Sequence, residues 1–322
     1  MDGQVLYLSE ADVAGASIPL DRLREAVAEA FAEKARGSAQ AAPKSVMTLG
    51  AGHVFQAKPA VMREAGIAGV KWFGLVPSAQ TSGPTIASQI LLSDVKTATP
   101  FAIMGGNWIT ATRTAAMSAI AAQHLARAAS ETIGFVGCGV QAHSHLDALR
   151  LVLPGLKRVT AYSRTLQSAD RLAGAARALG MNAQTTLEPR GAVEGMDIVV
   201  TTVPEGAAVL EFLDTAWIAP GAFVTAVDLG RSWKRDTLRS VDILATDEHE
   251  QTKVLAAMGR MNFAGPYEAD LADFATRRRP GRASDSQRAM FIFSGHALAD
   301  LAAAQVVFET AQRRGLGRTL PI

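Results

Sequence analysis

Cysteine occurs once in the 322 residues, at Cys138. No internal disulfide framework is possible, and a reducing compartment is expected. An excess of charge of either sign is also lacking. Lys and Arg number 32 against 30 Asp and Glu, a net charge of +2, far from a nucleic-acid binder's footprint. No uncharged run is apolar enough to span a bilayer, because Gly, Thr, Gln and Asn interrupt each one. The stretch MDGQVLYLSEADVAG carries acids and no long apolar core, so it does not read as a signal peptide. A cytoplasmic protein without nucleic-acid or membrane partners is expected. The length favours two domains over one core.

The first third mixes short strands and helices. Strands are predicted at Val5–Ser9, Val54–Gln56, Val70–Val76 and Ile86–Leu92. An amphipathic helix is predicted at Leu20–Lys34 and an alanine-rich one at Ile109–Arg127, with Asn107 or Thr110 as its cap. The middle alternates. Strands at Thr132–Val136, Arg158–Tyr162, Asp197–Thr202, Phe223–Val227 and Val241–Ala245 are separated by helices, one of them Ser168–Leu179. That alternation implies a parallel sheet covered on both faces. Met290–Arg314 reads as one long helix, and the basic run Arg277–Arg282 as a solvated loop.

Between a strand and a helix lies Gly134-Phe-Val-Gly137-Cys-Gly139-Val140-Gln141-Ala142, a GxGxxA turn. Its two later glycines allow a tight turn and close backbone approach to a pyrophosphate. Ala142 lets helix and strand pack closely, and the helix N-terminus offers unpaired amides to phosphate. The next strand ends Tyr162-Ser163-Arg164-Thr165, without the acid that would hold an NAD ribose hydroxyl. Hydroxyls flanking an arginine suit a 2′-phosphate, so NADP(H) is preferred over NAD. Cys138 reads as a small side chain rather than a nucleophile. No metal-ligating set is read.

Charge is missing locally as well. Arg113 is the only formally charged residue between Thr97 and Ala126, and Lys71 the only one between Glu64 and Asp94. An arginine in apolar surroundings needs an anionic partner. Each cation could meet a structural carboxylate. Two of them, in a chain with a nucleotide loop, favour a shared anionic ligand: a carboxylate clamped by Arg113, with Lys71 adding charge and a proton.

The segments Gly69-Val-Lys71, Gly83-Pro-Thr85, Ile109–Ala116, Gly137–Ala142 with His145, Asp197–Thr202, and Phe293-Ser-Gly295 followed by Asp300-Leu-Ala-Ala-Ala run in one order along nearly the whole chain. Together they resemble the ornithine cyclodeaminase/mu-crystallin family. The resemblance implies an α/β protein: a Rossmann-type doubly wound parallel sheet at 119–292 and a smaller α+β substrate and dimerisation domain at 1–118, completed by a C-terminal helix, 293–322. It implies a homodimer acting on a small α-imino or α-amino acid. The expected enzyme is an NAD(P)-dependent oxidoreductase of CH–NH and CH–NH2 groups, reducing a C=N bond. A cyclodeaminase-type ammonia lyase with bound NAD, or a non-catalytic NADPH-dependent binding protein, are the alternatives. Thr85, Val140, Gln141, Ser163, Val224–Val227, Lys234 and Ser294 fall where the family contacts cofactor; Thr202 and Val203 are added from the adjoining strand end. Lys71 and Arg113 fall on the substrate.

Three departures stand out. Lys44 replaces a frequent arginine, and Lys58-Pro59 replaces a Met-Pro pair, adding a cation near the substrate. The cyclodeaminase aspartate aligns with Gly230, while Asp228 lies two residues earlier, either facing the crevice as a catalytic acid or partnering Arg231.

Overall fold

The computed structural model describes residues 3–50, 52–76, 85–204 and 211–322. Gly83 and Pro84 lie outside the described residues. The chain divides into two compact units, one formed by the chain up to Arg113 with Gly295–Ile322, the other by Thr114–Ser294. The first division falls inside the helix Asn107–Leu125.

The first unit is built on an eight-stranded sheet. Its neighbours run Arg318–Pro321, Gln4–Leu8, Pro100–Gly105, Ile86–Asp94, Ile67–Leu75, His53–Met62 and Ala39–Ala41, with Ser45–Gly50 also paired to His53–Met62. Alternation decides its faces. Gln56, Lys58, Ala60 and Met62 are buried, while the residues between them are half-exposed. The helix Leu20–Ala35 buries Leu23, Val27, Ala30 and Phe31 at helical spacing and packs on the helix Ala297–Arg314. The latter lies against the strands His53–Met62, Ile67–Leu75 and Ile86–Asp94. It ends at Gly315, whose φ of 65° is the left-handed cap that glycine favours.

The second unit is an eight-stranded sheet. Its order is Asn182–Thr185, Arg158–Tyr162, Thr132–Val136, Ile198–Thr201, Phe223–Ala226, Ala289–Ile292, Ile243–Thr246, Ala269–Asp270. Every neighbouring pair is parallel. Thr132–Val136, Ile198–Thr201 and Phe223–Ala226 are buried along their whole length, as strands covered on both faces must be. The chain winds outward from Thr132–Val136 on one side and returns at Ile198–Thr201 on the other. The switch point therefore falls between those two strands.

The structure corrects the sequence reading at four places. Met290–Arg314 is not one helix: Ala289–Ile292 is a strand of the parallel sheet, and the helix begins at Ala297. An unbroken apolar run carries no periodicity to separate the two states. The chain also closes on a strand, Arg318–Pro321, antiparallel to Gln4–Leu8, so 293–322 is more than a helix. The strand expected at Val54–Gln56 extends over His53–Met62. Arg282 of the basic run is drawn inward and donates to the carbonyls of Leu125 (2.9 Å), Gly221 (2.9 Å) and Gln287 (3.1 Å). Among the described residues no helix is long and apolar enough to cross a membrane.

Candidate active site

In the first unit the two lone cations meet a protein carboxylate. Asp300, in the first turn of the helix Ala297–Arg314, is fully buried. Its Oδ1 accepts from Lys71 Nζ at 2.6 Å and lies 2.8 Å from Arg113 Nε. Its Oδ2 is buried and accepts no hydrogen bond among the described residues. Lys71 Nζ also donates to Thr110 Oγ1 at 3.2 Å, and that hydroxyl donates to the Gly106 carbonyl at 2.7 Å. Thr110 and Arg113 both come from the first two turns of the helix Asn107–Leu125. That helix start is not capped by Asn107 or Thr110. The Glu10 carboxylate accepts from the backbone N–H of Asn107 at 2.8 Å and of Trp108 at 3.4 Å, a distant anion on the positive end of the helix. Gly295, with φ 77°, seats the guanidinium: an added Cβ would lie 2.4 Å from Arg113 Nη1.

The electrostatics follow from burial. Desolvation pushes the Lys71 ammonium well below its ordinary pKa, with Arg113 and Lys58 adding repulsion and Asp300 opposing them. For Asp300 burial acts upward, but Arg113, Lys71 and Lys58 outweigh it and hold the carboxyl below the usual range. The cluster thus keeps an ionised carboxylate beside a lysine that gives up its proton more readily than one in water. Lys58, expected near the substrate, is buried in the strand His53–Met62 of the same sheet, and Lys44, also expected there, is buried just before the strand Ser45–Gly50. The part played by Asp300, Thr110 and Gly295 was missed. The signal for Asp300 was present, because it is the only formally charged residue between Arg288 and Glu309.

In the second unit the glycine turn sits at the switch point. Gly137 has φ 92°, and a Cβ there would lie 2.8 Å from the Thr202 carbonyl. Thr202 Oγ1 in turn donates to the Gly137 carbonyl at 2.9 Å, so the next strand's end clasps the turn. Gly139 faces open space and caps the helix Val140–Val152 without a side-chain bond, leaving first-turn amides directed outward. Gln141 Oε1 is buried with no hydrogen-bond partner among the described residues. His145, fully buried, bonds the Gln141 carbonyl at 2.7 Å and Ser118 Oγ at 2.9 Å, fixing that first turn. The open glycine and the uncapped helix amides fit a dinucleotide pyrophosphate. Ala142 is buried beneath them and Val140 exposed above. Burial pushes the Cys138 thiol up to about 12, which removes it as a nucleophile.

At the end of the neighbouring strand, Arg164 is exposed and makes no hydrogen bond or ion pair among the described residues. Ser163 is half-buried, and Thr165 Oγ1 donates to Ser168 Oγ at 2.9 Å. Val203 and Val227 are half-buried at the ends of the next two strands. The Ser294 hydroxyl accepts from Gln251 Nε2 at 2.9 Å. Lys234 instead makes an ion pair with Asp214, at 2.9 Å. Thr85 is exposed in the first unit. Asp228 is buried and accepts from Thr201 Oγ1 at 2.9 Å and Ser232 Oγ at 2.5 Å. Burial still pushes its pKa up to about 6, against the downward pull of those hydroxyls. Gly230, with φ 71°, would place a Cβ 3.1 Å from Ile292, so that position admits no aspartate without repacking.

Comparison with known proteins gives a consistent result. Alanine dehydrogenase of Archaeoglobus fulgidus is 30% identical over 326 residues, covering 98% of this chain and 97% of that one. The structure of an archaeal alanine dehydrogenase dimer with bound NAD matches with a TM-score of 0.88 at 28% identity, covering 99% of both chains. That of the Thermococcus litoralis Delta(1)-pyrroline-2-carboxylate reductase in complex with NADH and L-proline matches with a TM-score of 0.88 at 27% identity, over 98% of this chain and 99% of the other. The family model matches residues 5–315. With its glycine turn, its buried Lys71–Asp300–Arg113 cluster and this match over nearly its full length, the chain belongs to the ornithine cyclodeaminase/mu-crystallin family.

Proposed function

We propose that the protein is an NAD(P)H-dependent oxidoreductase that reduces the C=N bond of a small α-imino acid. The observation that carries this reading is the buried cluster in which one carboxylate, Asp300, is faced by Lys71 and Arg113. Arg113 fixes the substrate carboxylate through its planar fork, while Asp300 and Gly295 hold that guanidinium in place. Lys71, with its lowered pKa, hydrogen-bonds the imine nitrogen and delivers a proton there. A bound reduced nicotinamide supplies the hydride. The relatives support the reaction class: alanine dehydrogenase and pyrroline-2-carboxylate reductase both act at a carbon–nitrogen bond next to a carboxylate. Lyase chemistry is disfavoured. The cyclodeaminase aspartate aligns with the packed Gly230, and the oxygens of Asp228 are engaged by Thr201 and Ser232.

NADPH is the proposed cofactor, because Arg164 stands exposed and unengaged where an acid would select NAD. A homodimer is proposed from the outer face of the first sheet. There Trp72 stacks on Phe55 at 5.6 Å between their centroids, and Met47, Leu49 and Trp72 are exposed. The test is NAD(P)H consumption with a set of α-keto acids plus ammonia or methylamine. Oxidation of cofactor that needs both partners is expected, with Arg164→Ala raising the KM for NADPH and leaving that for NADH nearly unchanged. Ammonia release from an amino acid without net cofactor turnover would replace this reading by the lyase. Equal use of both cofactors by the unaltered protein would remove the NADPH preference.

A further inference from the structure

We infer that Thr110 is a positioning residue for proton transfer: with Asp300 it occupies two N–H bonds of Lys71, so that the third is the one through which the proton moves. This deepens the imine-reductase reading above and rests on it. The anchor of the arrangement is backbone. Gly106 donates its N–H to the Ser88 carbonyl at 2.9 Å. An added Cβ on Gly106 would lie 2.6 Å from Ser88 Oγ, so no side chain fits and the peptide is pinned against the strand Ile86–Asp94. The Gly106 carbonyl accepts from the Thr110 N–H at 2.8 Å and from Thr110 Oγ1 at 2.7 Å.

That second bond fixes both the rotamer of Thr110 and the direction of its hydroxyl hydrogen. A hydroxyl whose hydrogen is spent on a carbonyl faces Lys71 as an acceptor, and it takes the Lys71 N–H at 3.2 Å. Two residues on, Thr112 supplies the comparison. It makes the same bond back along the helix, to the Trp108 carbonyl at 2.9 Å, and no side chain among the described residues donates to it. Bonding back to the preceding turn is the ordinary use of a helical threonine. The ammonium on its oxygen is what sets Thr110 apart.

Asp300 holds the same nitrogen from another helix, at 2.6 Å. Lys71 is 1% exposed, so water does not compete for these bonds. Both acceptors serve the ammonium and the neutral amine alike. The ammonium keeps one further N–H, and the amine presents its lone pair in that same direction. No oxygen or nitrogen among the described residues accepts the remaining N–H. The Phe73 ring, 5.5 Å from Nζ, attracts a cation but takes no proton. The step then balances. Hydride from the reduced nicotinamide bonds to the imine carbon, the C=N π pair moves onto nitrogen, and that pair takes the Lys71 proton. The neutral lysine regains a proton from water once the amine has left. The charged groups acting on Lys71 are Asp300, Arg113 and Lys58; Thr110 adds a neutral acceptor that favours the ammonium.

The experiment compares the unaltered protein with Thr110→Val and Thr110→Ser. The probes are Delta(1)-pyrroline-2-carboxylate, a preformed cyclic imine, and the imines of pyruvate, glyoxylate and 2-oxoglutarate with ammonia, each with NADPH. Valine keeps the shape and removes the acceptor. In Thr110→Val, kcat is expected to fall about 10- to 100-fold, the cost of a loosened proton donor. KM for the imine should change little, because Arg113 still holds the carboxylate. The alkaline limb of kcat should move to lower pH, since the lost bond favoured the ammonium. Thr110→Ser keeps the hydroxyl and should restore both. A second measurement needs no turnover. Lys71 titrates in the folded protein below its ordinary range. Below that titration Thr110→Val loses a bond to an ammonium, and above it a weaker bond to an amine. The stability lost in urea melts should therefore shrink as pH rises through it. Unchanged kcat with an unmoved alkaline limb, or a stability loss equal at every pH, overturns the positioning role while leaving the reductase intact. No turnover of any of these imines, with the pH-dependent stability loss retained, sinks the reductase reading and leaves Thr110 as the residue that sets the direction of the Lys71 proton.

Discussion

Arg113 and Lys71 are charges in otherwise uncharged stretches, and each meets Asp300 where water is excluded. The cluster is both scaffold and candidate chemistry, and substitution separates the two. Arg113→Lys keeps the charge and loses the planar fork. It is expected to lower kcat/KM about 10- to 150-fold, with the protein folded and cofactor binding little changed. Asp300→Asn leaves buried cations facing each other and is expected to cost about 3–5 kcal/mol in a denaturant melt. An Arg113→Lys protein that melts early but keeps normal kinetics when cooled would assign the residue to scaffold alone. At this scale the sequence marks the cations, because an isolated charge in an apolar run is conspicuous. It does not name their partner. Asp300 is marked by the same signal, but 229 residues separate it from Lys71, and nothing in a linear pattern pairs them.

Helix starts show the same limit one level up. The alanine-rich composition from Ile109 onward announces a helix, and the observed element, Asn107–Leu125, follows it closely. What steadies its first turn is Glu10, 97 positions away and invisible to any local capping rule. Glu10→Ala is expected to destabilise the protein by about 1–2 kcal/mol, the range for a lost cap at a helix N-terminus, and Glu10→Gln by less. Unfolding midpoints in urea check both; equal midpoints for all three proteins would remove the capping role. The parallel strands were legible because full burial makes them short, continuous and apolar, as in Ile198–Thr201 and Phe223–Ala226. The strand His53–Met62 runs well past the Val54–Gln56 read from the sequence, and it carries Lys58 and Pro59, residue types uncommon inside a sheet. Ala289–Ile292 failed for another reason: its apolar run flows straight into the next helix, and only Gly295 and the His296 cap mark the join.

For the whole molecule, the half-exposed outer face of the first sheet calls for a partner surface, and a second copy of the chain is the proposed one. Light scattering at micromolar concentration is expected to give about twice the 33.8 kDa chain mass. Trp72→Glu should shift the population toward the single chain. A single-chain mass for the unaltered protein would count against the dimer. The division of the chain has a consequence for its biosynthesis. The second unit is one uninterrupted stretch, Thr114–Ser294, whereas the first is completed only by Gly295–Ile322. A ribosome adding about 5–20 residues per second needs roughly 10–45 s to cover the 229 positions from Lys71 to Asp300. During that interval Lys71 and Arg113 have no Asp300 to pair with, and the interior of the sheet lacks the helix that covers it. The nucleotide-binding half emerges whole while the half carrying the cations is still waiting for its last helix.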